Sequence, residues 1–187
     1  MNNLVLIVIL VAVAGVGIVL YNQLATLRVR ADAAWADIDT QLKRRYDLIP
    51  NLVATVKGYA SHEKDTFERV TEMRAAAISA QGVAAQAKAE NMLTQALRSV
   101  FAVAENYPEL RASENFSQLQ GTLTEIEGHI QSARRYYNAV VRDFNTKVHV
   151  VPSSIVAWLF NFKDREYFEL DSPEEREAPK VDFSSED

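Results

Sequence analysis

The chain has 187 residues, 48% of them hydrophobic and 24% charged, with a formal net charge of -5 and no cysteine. That composition suits one folded unit of ordinary size, and the missing thiols exclude disulfides, cysteine-ligated metals and thiol nucleophiles. Seven acids and two bases in residues 171–187 carry the whole net charge, so the body is neutral, which argues against nucleic acid as a partner because phosphate binding needs a concentrated basic face.

Residues 4–20 read LVLIVILVAVAGVGIVL, without one polar side chain. As a helix they span about 25 Å, near the lower limit for crossing a bilayer. Tyr21 suits the headgroup level, and residues 1–3 form a short polar start. These features predict a transmembrane helix over residues 4–21, with the lipid bilayer as its partner. A cleaved signal peptide is the competing reading, because Ala12-Val13-Ala14 resembles a cleavage site. Against it, no Lys or Arg precedes the run, and apolar residues continue past the cut. A buried core helix would need a polar face, and this stretch has none. Arg28, Arg30, Lys43, Arg44 and Arg45 all follow the span, so the positive-inside rule predicts a cytoplasmic body and an outer N-terminus.

Beyond the span, Leu24, Leu27, Ala31, Ala34, Ile38, Leu42, Ile49, Leu52, Val56 and Tyr59 recur at steps of mostly three and four, the spacing of one helical face. The anchor should therefore run straight into a long helix. Pro50 lacks an N–H donor, which predicts a kink or short break near Tyr46–Pro50. The pattern resumes through Phe67, Val70, Met73 and Ala77 and stops near Gly82. A second long helix is expected over about residues 84–105, ended by Pro108. Ser113 and Glu114 mark the next start. From there Phe116, Leu119, Leu123, Ile126, Ile130, Ala133, Tyr137, Val140 and Phe144 sustain a heptad repeat, which demands partner helices along its whole length. The fold class is all-α: a transmembrane helix continuing into an elongated antiparallel bundle of three or four long helices over residues 22–170. Residues 171–187 are rich in Pro, Glu and Ser, with little to bury, and predict a disordered acidic tail.

No catalytic constellation stands out. His62, His129 and His149 form no H-E-x-x-H pair, and there is no glycine-rich phosphate loop, G-x-S-x-G elbow or kinase signature. The expectation is no enzyme, no cofactor and no metal. Three clusters are candidates for structure or interaction. The first spans residues 34–63, with Trp35, Asp39, Arg45, Asp47, Pro50 and Asn51 close together. Either it is a core-facing Trp among solvated charges, or Arg45, Asp47 and Asn51 pair at the proline and fix register between helices. The second, ARRYYNAVVRDFN at 133–145, sets Arg134, Tyr137, Asn138 and Asn145 near the heptad seam. Asn138 is there either a register device or an ordinary exposed amide. The third, VVPSSIVAWLFNF at 150–162, carries Trp158, Phe160 and Phe162. Packing over the end of the bundle is the favoured role, and an interfacial element or subunit contact the alternative.

Residues 34–63, YPELRASENFSQLQGTL at 107–123, ARRYYNAVVRDFN and VPSSIVAWLF together resemble the LemA family, over about residues 1–168. The chain departs from the family's more aromatic habit at Val151 before Pro152 and at Phe144 before Asn145. The resemblance implies an α-helical bundle on a bacterial cytoplasmic-membrane anchor, with no established catalytic activity and one branch associated with magnetosome membranes. Combined with the heptad seam and confinement to two dimensions, it leads to a non-enzymatic membrane scaffold that self-associates into a homo-oligomer. A membrane-tethered module presenting its bundle to an unidentified protein partner is the rival.

Overall fold

The computed structural model describes residues 2–169, with side chains from residue 3 onward. The predicted acidic tail lies outside the described residues. Helix α1 runs from Asn2–Tyr59 without interruption, followed by α2 (Lys64–Ser79), α3 (Val83–Glu105), α4 (Pro108–Arg111), α5 (Glu114–His149) and α6 (Ser153–Leu159). At 1.5 Å per residue, α1 is about 87 Å long and α5 about 54 Å.

The predicted apolar stripes are the faces that pack, except at Tyr59, the last position of the α1 stripe, which is exposed. On α1, Leu24, Ala31, Ala34, Ile38, Leu42, Ile49, Leu52 and Val56 are buried. On α5, Phe116, Leu123, Ile126, Ile130, Tyr137, Val140 and Phe144 are buried against them. The two helices lie antiparallel in one register: Lys147 reaches Gln23, Tyr137 meets Trp35, and Arg45 meets Glu127. The heptad seam of α5 is thus filled within the chain. Helices α2 and α3 form a hairpin that joins the same core, and Phe101 of α3 meets Phe116 of α5 at the far end. Ser113 caps α5 by accepting from the Phe116 N–H, with Glu114 in its first turn and Lys147 and His149 in its last, each favoured by the helix dipole.

Two expectations change. Of the kink or short break expected near Tyr46–Pro50, the break does not occur: α1 stays helical through Tyr59. Pro50 is exposed and has no N–H to give, so the carbonyl of Tyr46 one turn back loses its helical donor. Arg74 of α2 supplies the replacement, its Nε donating to that carbonyl at 2.8 Å. The gap left by the proline has become a docking point for the next helix. The second change is after α6. Asn161 takes a left-handed φ of 56°, which Asn tolerates better than most residues. Residues 162–169 then run without helical structure back along α5 as a strap.

Candidate functional site

Three arrangements in the described residues carry the polar and aromatic groups of interest. The first is a buried charge cluster midway along the bundle. Arg45 is 3% exposed and Glu90, on α3, 1%. One Glu90 oxygen accepts from Arg45 Nη2, and the other from the Tyr46 hydroxyl and from Gln86 Nε2 at 2.8 Å. Arg45 Nη1 donates to Glu127 of α5 at 2.7 Å and reaches Thr94 at 3.4 Å. Three helices are joined here. Burial pushes the Tyr46 phenol up to about 12, outweighing the opposing pull of Arg45 and of the Gln86 hydrogen bond. Both oxygens of this enclosed carboxylate are held by donors from α1 and α3, which ties the two helices together.

The paired partners differ from those expected. Asp39, Asp47, Pro50 and Asn51 are all exposed, and none of them shares a hydrogen bond with Arg45 or Glu90. Residues 45, 47 and 51 cannot share one helical face, because i,i+2 positions point apart. Arg45 therefore finds its carboxylates on other helices. Glu90 escaped the sequence reasoning, although one signal was present. It falls among Ala87, Leu93 and Leu97, on the stripe that buries α3, and a glutamate at an apolar position needs a partner.

The second arrangement is the strap latch. Asn145 donates through Nδ2 to the Arg165 carbonyl and accepts from the Arg165 N–H through Oδ1, both at 2.9 Å. Asn138 does the same with Phe168, at 3.1 and 2.9 Å. Each amide side chain imitates a peptide group and pairs with extended backbone as a neighbouring strand would. The spacings agree: seven residues of helix rise about 10.5 Å, and three residues of extended chain span about 10 Å. On the strap between the two paired residues, the Glu166 carbonyl accepts from the Tyr137 hydroxyl at 3.0 Å. Burial raises the Tyr137 phenol, against the pull of Arg165. Phe168 is fully buried against Trp35, which itself packs on Tyr137, with ring centroids 5.4 Å apart in both pairs. Arg165 bridges to Asp32 of α1 at 2.6 Å. Asn138 is thus neither an exposed amide nor a helix-to-helix register device. Arg134 is half-buried one turn before it.

The third arrangement is the aromatic cluster at the other end. Phe162 packs beside Leu24, Phe144 and Ala157, as expected. Trp158 does not pack over the bundle: it is 83% exposed. Helix α6 turns its small residues Ser153 and Ala157 inward, with Val156 half-buried, and Ile155, Trp158 and Leu159 outward. No group of three His, Cys, Asp or Glu among the described residues is placed to hold a metal ion. His149 pairs with Asp164 at 2.9 Å, and His129 sits 3.4 Å from Glu125.

The model of the LemA family matches residues 34–183. The chain belongs to the LemA family. The match takes in the charge cluster, the latch and α6; it begins after the apolar start of α1 and extends beyond the strap. Among curated proteins, this LemA-family chain is 24% identical over 175 residues to Magnetosome protein MamQ 1 of Paramagnetospirillum magneticum, covering 80% of this chain and 64% of the relative. It is 23% identical over 174 residues to Magnetosome protein MamQ of Magnetospirillum gryphiswaldense, covering 79% and 64%. It is 27% identical over 120 residues to Protein LemA of Metamycoplasma hominis, covering 62% and 53%. The chain therefore spans just under two thirds of the length of the two magnetosome relatives and about half that of the third. None of the names is an enzyme's.

Proposed function

We propose that this protein is a non-enzymatic, membrane-anchored scaffold: a stiff helical stand fixed to a bilayer by residues 4–21. The observation that carries this is the continuity of α1, whose exposed apolar first third passes without a break into the core of the bundle. Anchor and body are then one rod, so the orientation of the anchor is transmitted to the body. Beyond residue 21 the rod extends about 57 Å. The magnetosome relatives support a role in organising a membrane. The absence of enzyme names among the relatives, and the structural use made of Glu90, support a non-catalytic role. The positive-inside bias favours a bacterial cytoplasmic membrane with the body on the cytoplasmic side.

In the scaffold reading the chain self-associates. Because the α5 seam is filled by α1 within the chain, contacts between copies must use other surfaces. That same closure favours a second reading, in which a monomeric stand presents its bundle to a separate protein. Light scattering of the full chain in detergent at micromolar concentration separates them. A mass of two or more chains after subtraction of detergent supports the scaffold. A monomer removes self-association and leaves the presenting module.

A further inference from the structure

Helix α6 and the turn that leads into it carry large apolar side chains on the wrong face for water. Val151, Ile155, Trp158 and Leu159 follow steps of four, three and one, and all point outward, with exposures between 62% and 83%. The inner face is made of Ser153 and Ala157, with Val156 half-buried beside them, and lets α6 lie close on α1 and α5. Phe160 adds a further exposed ring. A helix of a water-soluble domain sorts its side chains the other way round. The position of α6 along the rod says what covers this face. Phe160 packs against Tyr21 in a tilted arrangement with ring centroids 4.7 Å apart, Phe162 lies 5.7 Å from the same ring, and Ala157 packs with Leu24. Tyr21 ends the apolar run of α1. The outward face of α6 is therefore continuous with the exposed surface of residues 4–20 and level with its end.

We propose that α6 is a membrane foot, which lies in the interfacial layer of the bilayer with Trp158, Leu159, Ile155 and Val151 among the upper acyl chains. This rests on the reading of residues 4–21 as a membrane anchor and extends it. Tryptophan suits that layer, because its ring is apolar and its N–H can still meet water or headgroups. Charge agrees: Arg28 and Lys163 line a cleft beside Phe162, just above the apolar tier, where anionic headgroups would lie. The foot supplies what a short span lacks. Seventeen residues are near the minimum for crossing, and a second contact beside the span holds the rod at a fixed depth and tilt.

The test uses the full chain reconstituted in vesicles of phosphatidylglycerol and phosphatidylcholine. Trp158 is followed as the difference in emission between the wild type and Trp158→Phe, a change at an exposed site that leaves Trp35 as background. Phospholipids brominated high on the acyl chain should lower the Trp158 signal by about half, and aqueous iodide should leave it nearly unchanged, as for a side chain held in the interface. The double variant Ile155→Asp/Leu159→Asp should reverse both responses while helicity by circular dichroism is kept. Quenching by iodide and not by bromolipid, with the protein still resistant to alkaline extraction, overturns the foot and leaves the anchor intact. Resistance to both quenchers also overturns it, since protein and not lipid then covers Trp158. Release of the wild type by alkaline extraction means that the anchor reading itself has failed.

Discussion

Arg45 sits where an error is costly. It is buried with two carboxylates around it, one of them fully enclosed. Removing one partner of a buried pair leaves an uncompensated charge, whereas replacing both by apolar groups of similar size is far better tolerated. Arg45→Met and Glu90→Leu should each lower stability by about 3–5 kcal/mol, and the double variant should lie nearer the wild type than either single change. Denaturant titration of the four proteins measures this. Arg28→Ala serves as the control, because Arg28 is exposed and should fall within about 0.5 kcal/mol. Tyr46 adds a pH signature. Its phenol titrates near 12 in the folded state against 10 ordinarily, so the folded state retains the proton longer. The corresponding stability is complete below pH 10 and is lost as pH rises from there through 12. Tyr46→Phe should flatten that part of the alkaline stability profile. A profile parallel to the wild type's would mean that the phenol is not held neutral by burial.

At the scale of elements, the apolar skeleton was legible and the polar joints were not. Periodicity placed α3 to within a residue and the start of α5, which runs five residues past Phe144, the last position of its predicted stripe, because burying a stripe is a property of one helix at a time. Which polar groups meet depends on the rotation and register between helices, and no single stripe encodes that. Arg45 was recognisable as a buried-pair candidate, but Glu90 and Glu127, 45 and 82 residues away, were not identifiable as its partners. Trp158 misled for a related reason: an aromatic cluster reads as core until the neighbouring surface is known to be apolar. The strap was the largest omission, since a short segment without periodicity resembles a loop. Its hold is testable. Asn138→Leu and Asn145→Leu each remove two hydrogen bonds, so each should weaken the strap by about 1–3 kcal/mol. Hydrogen exchange at the Arg165 and Phe168 amides should accelerate accordingly, and trypsin should cleave after Arg165 in the double variant well before it cuts the helices. Unchanged protection at both amides would contradict the latch. At the proline, Arg74→Met should cost about 1–3 kcal/mol by leaving the Tyr46 carbonyl without its donor. Pro50→Ala should offset part of that loss, because an alanine at this position restores the helical N–H.

For the whole molecule, one long helix carries two kinds of surface: its first third is apolar on every side and exposed, and the remainder has a single apolar stripe. The change comes at Tyr21, where α6 and the base of the strap gather around it. The chain contains no cysteine, so single cysteines report position without background. Asn3→Cys lies before the span, and Glu109→Cys lies on the exposed turn at the far end of the bundle. Labelling both variants in intact spheroplasts and in lysed cells with a maleimide that cannot cross membranes tests the single crossing most directly. The account predicts that the Asn3→Cys variant labels in intact spheroplasts and that the Glu109→Cys variant labels only after lysis. The opposite pattern would keep the crossing and invert the rod. Labelling of both variants from the same side would contradict the membrane-spanning stand itself.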